Sequence, residues 1–188
     1  KAIRRQRQMC IRDRAFFECT SLKKFDFSNV SSIGKIAFYH CSSLESIVLP
    51  ENVTAIGNSA FQGCNGVTSL NIPGTVKSIG EYAFYGCENL KELVIDEGVS
   101  SIGKHAFAEC KSLETITLPK SAALGENIFT DYRPIKTIRY TGTREEWVAA
   151  GLNQNNFYNA TVYYEYTADH KHTFVTVSYT HLTLPTNS

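Results

Sequence analysis

Apolar and polar positions recur along most of the chain with a period of about 23 residues. Four interior stretches align, the last with one residue fewer before its glycine: "LESIVLPENVTAIGNSAFQGC", "VTSLNIPGTVKSIGEYAFYGC", "LKELVIDEGVSSIGKHAFAEC" and "LETITLPKSAALGENIF". A shortened copy, "LKKFDFSNVSSIGKIAFYHC", comes before them and is preceded by an incomplete one, "AFFEC", so about five and a half units are visible. A unit this short cannot bury its own apolar side. The period therefore predicts that successive units stack and share one core.

Each unit contains a segment that favours a strand, a segment that returns the chain along the opposite side, and a tight turn. The first segment is L-x-x-I-x-L, as in Leu44, Ile47 and Leu49, whose last two apolar positions alternate with polar ones as in a half-buried strand. The second is Val-x-x-Ile-Gly, and Ala-Phe-x-x-Cys then brings apolar groups inward at the spacing of a helical turn. A glycine recurs where a side chain would obstruct the turn: Gly34, Gly57, Gly80, Gly103 and Gly125.

Stacking superimposes equivalent positions, so the apolar residues are predicted to form ladders through the core. One ladder consists of phenylalanines: Phe16, Phe38, Phe61, Phe84, Phe107 and Phe129. A second consists of aliphatic residues: Leu22, Leu44, Val67, Leu90, Leu113 and Ile135. Truncating a buried Phe to Ala typically costs about 3–5 kcal/mol. We therefore assign these residues to the core rather than to a cofactor site.

Five of the six cysteines follow the repeat. From Cys19 onward the intervals between Cys19, Cys41, Cys64, Cys87 and Cys110 are 22, 23, 23 and 23 residues, whereas Cys10 stands outside the series. Adjacent rungs lie within reach of a disulfide in principle, but so regular a spacing favours a third ladder of buried free thiols. No paired C-x-x-C or C-x-x-H occurs, which disfavours a zinc site. We predict neither a metal nor a cofactor.

The recurring unit L-x-x-I-x-L-P…V-x-x-I-G-x-x-A-F-x-x-C resembles the BspA-type leucine-rich repeat, and the resemblance runs from Ala15 to about Ile138. It implies a repeat solenoid of the leucine-rich-repeat class. Such a solenoid is a right-handed superhelix with a parallel β-sheet on one face and short strands and single helical turns on the other. Repeats of this type are common in surface proteins of gut and oral bacteria and of some parasitic protists. The resemblance therefore implies a fragment of a cell-surface or secreted protein.

The residues that follow the last repeat are predicted to cap the stack. The cysteine position of the final unit holds Tyr132, and one more strand-like run, "IKTIRY", completes the sheet. In "TREEWVAAGL", Thr143 and Glu146 have the spacing of a capping box, and Gly151 is placed to end the helix. Trp147 is expected to cover the last rung, because an exposed solenoid end is costly; the alternative is an exposed ligand anchor. The following "NATVYYEY" predicts a closing strand.

Both ends of the chain depart from the repeat, and the genetic code connects them. If "RRQRQMCIRD" is encoded as CGT CGG CAG CGT CAG ATG TGT ATA AGA GAC, the reverse complement translates as "VSYTHLTLPT", which is the sequence of residues 177–186. A DNA fragment flanked by one adapter in opposite orientations has this property, and the stretch resembles a translated sequencing-library adapter. We therefore expect adapter-derived artefacts at 1–14 and 177–188, repeats at 15–140, a cap at 141–168 and a linker at 169–176.

The alternative for the first segment is a basic arm that binds nucleic acid or an anionic surface. Residues 1–14 carry six positive charges and one negative charge, so without them the formal net charge of +1 becomes −4. A mildly acidic repeat region disfavours binding to a phosphate backbone, and we predict no nucleic-acid partner. No apolar run approaches the roughly 18 residues of a membrane span, so we predict no membrane insertion by this part of the protein.

Catalytic motifs are absent from the sequence. It contains no phosphate-binding glycine loop, nucleophile elbow or zinc-protease helix. Glu145 and Glu146 are adjacent, so on a helix their carboxylates diverge instead of forming an acid–base pair. Asp169, His170 and His172 in "DHKH" supply too few ligands for a catalytic metal and are read as a solvated linker. We predict that the chain is not an enzyme and has no catalytic residues.

Candidate ligand-binding residues are therefore sought on the exposed side of the predicted strands. They are the positions between and before the inward apolar residues: Lys24, Asp26, Ser46, Val48, Ser69, Asn71, Glu92, Val94, Thr115, Thr117, Thr137 and Arg139. Small and polar residues dominate this set, and it contains no aromatic anchor of the kind that forms a tight hot spot.

Three functions are compatible with these features. The first is a non-enzymatic module that recognises proteins or adheres to a host surface through its repeat face, which is what the family resemblance implies. The second is a structural spacer or scaffold whose active domain lies elsewhere. A remote third is a fragment of a metal-dependent enzyme that uses residues 169–172. The residues themselves establish only an extended, rigid surface.

Overall fold

The repeats stack into a parallel solenoid, described by a computed structural model over residues 9–130, 135–152, 157 and 160–165. Two parallel sheets run along it, one on each side of a shared apolar core. The first has six strands, in the order β1-β2-β3-β5-β7-β9: β1 (Met9–Ile11), β2 (Val30–Ile33), β3 (Ala55–Ile56), β5 (Ser78–Ile79), β7 (Ser101–Ile102) and β9 (Ala123–Leu124).

The second sheet has five strands, in the order β11-β10-β8-β6-β4. Its strands are β4 (Ser69–Ile72), β6 (Glu92–Ile95), β8 (Thr115–Leu118), β10 (Thr137–Tyr140) and β11 (Thr161–Tyr163). The neighbouring strands pair in register, so that Leu70, Leu93 and Ile116 lie side by side. One helix, α1 (Arg144–Ala149), connects β10 to β11. The repeat solenoid with parallel sheets expected from the sequence is confirmed.

The first two units contribute less to the second sheet than their sequences predict. Strands were expected at Lys24–Asp26 and Ser46–Val48, but the first segment forms no strand and the second forms a single bridge between Val48 and Asn71. In the shortened first unit, the Asp26 carboxylate accepts a hydrogen bond from the N–H of Ser28 at 2.9 Å. This local turn competes with pairing along the ladder. The second unit therefore has a strand neighbour on one side only.

The phenylalanine ladder runs through the core as predicted. Consecutive rings from Phe16 to Phe107 stack with centroids 4.9, 5.1, 5.2 and 5.2 Å apart and interplanar angles below 10°, and the last pair, Phe107 and Phe129, is 6.0 Å apart. The aliphatic ladder is buried from Leu44 onward, whereas Leu22 in the first unit is partly exposed. The spacing of the rings matches the spacing between neighbouring parallel strands, about 4.8 Å.

The glycine that ends the second segment is required by the close approach of adjacent units. A Cβ placed on Gly80 would lie 2.5 Å from the backbone nitrogen of Asn58 and 2.6 Å from the carbonyl carbon of Gly57. Equivalent clashes with the preceding unit occur at Gly57 and Gly103. The predicted obstruction therefore comes from the backbone of the neighbouring rung, and a left-handed conformation is not involved at these positions.

The Ala-Phe-x-x-Cys segments form consecutive tight turns that also link neighbouring units. Within a unit, N–H groups donate three residues back, as from Cys64 to the Phe61 carbonyl at 3.2 Å. Alternate N–H groups donate instead to the next unit, as from Phe61 to the Ala83 carbonyl at 2.7 Å. Residues such as Ser59 and Tyr82 have left-handed φ values of 53° and 57°, which turn these donors toward the neighbouring rung. The predicted helical turns thus take the form of hydrogen-bonded turns.

The cysteine ladder consists of free thiols, as predicted. Four of them are buried, and each donates a hydrogen bond to the carbonyl of a Phe in the preceding unit: Cys41 to Phe16 at 3.1 Å, Cys64 to Phe38 at 3.2 Å, Cys87 to Phe61 at 3.3 Å and Cys110 to Phe84 at 3.4 Å. Cys10 and Cys19 are also free but exposed, so the predicted burial is wrong for Cys19, the first rung of the ladder. The thiols therefore satisfy a backbone acceptor while filling the core.

The stack extends to Met9, six residues before the boundary predicted at Ala15. Met9, Cys10 and Ile11 form β1 beside β2, and Ile11 is buried. The Asp13 carboxylate accepts a hydrogen bond from the N–H of Lys35 at 2.8 Å. These residues therefore adopt the repeat conformation. The adapter origin of the two termini stays a prediction, and residues 1–8 and 166–188 lie outside the described part of the chain.

Candidate functional site

The second sheet presents two rows of predicted candidates on its outward side. One row joins Ser69, Glu92, Thr115 and Thr137, and the other joins Asn71, Val94, Thr117 and Arg139, each in strict register across β4, β6, β8 and β10. Val48 extends the second row through its bridge to Asn71. We call the surface formed by these nine residues the recognition face. Lys24, Asp26 and Ser46 are exposed but lie in the irregular segments before it.

Thr117 does not belong to the exposed surface, contrary to the sequence prediction. Its side chain is only 7% exposed, whereas that of Val48 is 73% exposed. Arg139 on β10 and Glu92 on β6 flank β8, and their side chains approach to 3.9 Å between Nη1 and Oε1. The two side chains therefore meet over β8 beside Thr117. The alternation of inward and outward residues along β8 does not predict that side chains from neighbouring strands cover Thr117.

The recognition face changes in character from one end to the other. The Val48 end combines an exposed aliphatic side chain with the uncharged Ser69 and Asn71. The opposite end carries the Arg139–Glu92 ion pair. This arrangement offers an apolar contact and small hydrogen-bonding groups at one end and paired charges at the other.

A second feature, which the sequence did not reveal, is a shallow groove beside the loops that follow the strands. Its lining residues are Glu51, Asn52, Thr54, Gly74, Thr75, Lys77, Asp96 and Glu97. Lys77 Nζ donates hydrogen bonds to the carbonyl oxygens of Gly74 and Gly98 at 3.0 and 3.1 Å. Lys77 thus ties two adjacent loops together, which is a structural role.

Glu97 links this groove to the cap region. Its carboxylate accepts hydrogen bonds from the Thr141 hydroxyl and from the N–H of Lys120, the latter at 3.1 Å. Burial opposes ionisation of Glu97, but these hydrogen bonds prevail and hold its pKa below the ordinary value. The ionised carboxylate therefore fastens three successive units together at physiological pH.

The turn side of the solenoid carries exposed rings that the sequence analysis also missed. Tyr82 lies 5.1 Å from His105 and 5.6 Å from Tyr85, measured between ring centroids. We call these three residues the turn-side aromatic cluster; each is partly exposed. A second pair, Phe17 and Tyr39, stacks at 5.3 Å nearer the start of the chain. The signal available in the sequence was the presence of aromatic residues at variable positions within the Ala-Phe-x-x-Cys segment and immediately before it.

The cap forms as predicted. Thr143 accepts a hydrogen bond from the N–H of Glu146 at 3.2 Å, and the Glu146 side chain accepts one from the N–H of Thr143 at 2.8 Å, which completes a capping box. Trp147 is 1% exposed and packs 5.2 Å from Tyr140. Gly151 has a left-handed φ of 74° just beyond the helix. Trp147 is therefore part of the cap, and the alternative of an exposed ligand anchor is wrong.

The described residues contain no group of three or more His, Cys, Asp or Glu side chains arranged to hold a metal. Asp169, His170 and His172 lie outside the described part of the chain, as do Tyr132 and Asn159. Within that same part, no helix has the length and apolar character needed to cross a bilayer.

Comparison with solved structures identifies similar solenoids. The Treponema pallidum (T. pallidum) leucine rich repeat protein TpLRR superposes with a TM-score of 0.54 at 24% identity, covering 70% of this chain and 65% of that one. The pneumococcal vaccine antigen PcpA superposes with a TM-score of 0.51 at 25% identity, covering 63% of this chain and 30% of that one. The chain thus spans less than two thirds of the length of either protein. A search of curated proteins finds no match.

The repeat itself matches a known family. The sequence profile described as "BspA type Leucine rich repeat region" matches residues 9–136 in six copies. The matched range includes the whole phenylalanine ladder, the buried thiols and the glycines that permit close stacking. It also begins at the residue where the structure places β1. Six matched copies across this range place the chain in the BspA-type leucine-rich repeat family.

Proposed function

We propose that the protein is a non-enzymatic recognition module that contacts a protein or host-surface ligand through the recognition face, as part of a cell-surface or secreted protein. The observation that carries the proposal is the in-register sheet, which holds the exposed Val48 beside small polar side chains on a rigid frame. A preformed surface loses little conformational entropy on binding, so even modest contacts contribute to affinity.

The comparisons support the location and the general role without naming a ligand. Repeats of one family build solenoids whose function depends on the surface residues and not on the fold. PcpA is described as a pneumococcal vaccine antigen, which is consistent with a protein that antibodies can reach. A corresponding exposure of this chain at a cell surface, or its secretion, belongs to the proposal.

A test compares cell binding by two double variants. Val48→Arg with Asn71→Arg places two bulky charges on the recognition face. Ser78→Arg with Ser100→Arg places two on the opposite side, where Ser78 lies in β5, Ser100 lies immediately before β7, and both are exposed. Biotinylated protein is incubated with cultured human epithelial cells, with and without prior trypsin treatment of the cells, and bound protein is measured by flow cytometry.

The proposal expects trypsin-sensitive binding that the Ser78/Ser100 variant retains and the Val48/Asn71 variant loses. Equal binding by both variants would show that the recognition face is not the contact surface. If the unmodified protein does not bind cells at all, the alternative of a structural spacer is favoured. Circular dichroism of both variants establishes that the solenoid has folded before the cells are used.

A further inference from the structure

The turn-side aromatic cluster is not needed to build the core. Tyr82 and His105 occupy the same position in successive units, with left-handed φ values of 57° and 55°. In the other units this position holds Arg14, Ile36, Ser59 and Asn127, all with φ between 49° and 60°. The inward positions of these turns are filled instead by buried Ala and Phe side chains that recur from unit to unit. The fold therefore accepts a small polar residue where Tyr82 lies.

The left-handed conformation at this position belongs to the repeat, because units with Ile36 or Ser59 there have it as well. The ring of Tyr82 is therefore not required by the backbone of the turn. Tyr82 meets two neighbours, with interplanar angles of 59° to Tyr85 and 52° to His105, so that the three rings are inclined to one another.

The charges around the cluster are predominantly negative. The turns that contain the rings, and the turn that follows them, hold four acidic and two basic side chains: Glu81, Glu88, Glu109, Glu126, Lys104 and Lys111. Lys111 pairs with Glu88 at 2.6 Å, and Lys104 pairs with Glu126 at 3.3 Å. Among the described residues, Glu81 and Glu109 have no ion-pair partner. Glu109 accepts a hydrogen bond from the Thr130 hydroxyl at 3.1 Å and, after Glu88, also helps to raise the pKa of Lys111.

We propose that the turn-side aromatic cluster, with Glu81 and Glu109 beside it, binds an arginine- or lysine-bearing segment of a partner protein. A guanidinium or ammonium group is attracted to the face of a tyrosine ring, and the two carboxylates supply the complementary charge. Tyrosine is also among the residues that most often dominate protein interfaces. This surface is separate from the recognition face and extends the proposed function to a second contact site.

The charge around the rings favours a cation over the other ligands that aromatic surfaces accept. A neutral sugar would gain from the rings but not from the excess of carboxylates. An anionic partner would be repelled by Glu81 and Glu109. Of these three classes, a basic peptide uses both features of the surface.

The test uses a peptide of alternating glycine and arginine, acetylated and amidated, with six arginines. A control peptide replaces each arginine with citrulline, which keeps the shape and removes the charge. Binding to the whole chain is measured by isothermal titration calorimetry at two salt concentrations. The chain offers its own conservative substitutions: Tyr82→Ser copies Ser59 of the preceding unit, and Tyr39→Gln copies Gln62 at the corresponding position next to it.

We expect the arginine peptide to bind and the citrulline peptide not to bind. Tyr82→Ser is expected to weaken binding by about twofold to fivefold, the range of a cation–π contact at an exposed site. Glu81→Gln with Glu109→Gln should weaken it by up to about fivefold per charge and reduce its dependence on salt. Tyr39→Gln, which alters the other ring pair, should leave the affinity unchanged.

The proposal is wrong if the arginine peptide does not bind, if the citrulline peptide binds equally well, or if Tyr82→Ser and Tyr39→Gln lose affinity to the same extent. Binding of the neutral oligosaccharide cellohexaose that is lost in Tyr82→Ser would also overturn it and identify a carbohydrate surface. The Val48/Asn71 variant should still bind the peptide. Failure at this site is therefore distinguishable from failure of the recognition face.

Discussion

Arg139 on β10 and Glu92 on β6 approach each other to 3.9 Å across the intervening strand β8. Their side chains meet beside Thr117, which is in register with Arg139 and only 7% exposed. Both charged groups remain partly exposed to solvent, so the pair contributes little to stability. Its main structural effect is to limit the access of solvent and ligands to Thr117 in the recognition face.

Removing the Arg139 side chain should therefore expose Thr117 without unfolding the protein. In a Thr117→Cys background, Arg139→Ala is expected to accelerate labelling of residue 117 by iodoacetamide, while the free energy of unfolding changes by at most about 1 kcal/mol. The rate is followed by mass spectrometry of the peptide that contains residue 117, because Cys10 and Cys19 are also exposed.

Ser69→Cys serves as the matched control, because Ser69 is exposed in the first strand of the same sheet. Its labelling rate should be fast and independent of Arg139. Equal labelling of Thr117→Cys with and without Arg139 would show that this side chain does not cover the strand.

The architecture could be predicted from the sequence because stacked units must have the same residue types at the same few positions, and these recur along the chain. Phe61, Cys64 and Gly57 recur at a fixed spacing, and each has a physical role that only a shared core or a close backbone approach explains. The cap could also be predicted, because Thr143 and Glu146 form a capping box that is recognisable from their spacing in the sequence. These features depend either on a short local motif or on the repetition of one unit along the solenoid axis, and both can be read from the sequence.

The features that were missed depend on contacts that no repeat position encodes. Thr117 is covered where Arg139, on the neighbouring strand β10, meets Glu92 on β6, which is two strands away from β10. The first unit is shortened, and where its strand was expected Asp26 accepts a local hydrogen bond from the N–H of Ser28. The rings of the turn-side aromatic cluster occupy positions whose residue type varies between units. The repeat pattern therefore predicts nothing about them.

Two glycines in one unit should respond differently to the same substitution. Gly80→Ala forces a Cβ to within 2.5 Å of the backbone of the preceding unit, and overpacking of this kind is expected to cost at least about 2 kcal/mol. Gly86→Ala adds a Cβ that has nothing within 4 Å but keeps a left-handed φ of 67°, which costs about 1 kcal/mol. Urea denaturation of the two variants measures the difference, and a larger loss for Gly86→Ala would contradict the stacking explanation.

The cap depends on the ring of Trp147 more than on its polar N–H. Trp147→Ala removes a side chain packed against Tyr140, Phe157 and Tyr164 and should lower the free energy of unfolding by about 3–5 kcal/mol. Trp147 Nε1 is buried with no hydrogen-bond partner among the described residues, and such a group carries a desolvation cost.

Trp147→Phe is therefore expected to cost less than about 1.5 kcal/mol, because the lost contacts are partly offset by removal of the unsatisfied donor. Val148→Ala, at an exposed position of the same helix, should change stability by no more than about 0.5 kcal/mol. Thermal unfolding of the three variants ranks them. Equal losses for Trp147→Phe and Trp147→Ala would mean that the indole N–H contributes through a partner.

The buried thiols should make the solenoid sensitive to alkaline pH. Burial raises the pKa of Cys41 to about 11 and that of Cys87 to about 12, whereas in the unfolded chain a cysteine titrates near 8.5. Above that value the unfolded state loses protons that the folded state keeps, so the unfolded state becomes relatively more stable. The free energy of unfolding is therefore full below about pH 8.5 and falls as the pH rises toward 11.

Each buried thiol contributes a slope of about 1.4 kcal/mol per pH unit in this window. Cys87→Ala removes one such group, so its free energy of unfolding should fall less steeply between pH 9 and 11 than that of the unmodified chain, whatever its absolute stability at neutral pH. Urea denaturation at several pH values measures the slope, with Cys19→Ala as the control because Cys19 is exposed. Identical slopes for Cys87→Ala and the unmodified chain would show that the Cys87 thiol ionises as readily in the folded protein as in the unfolded one.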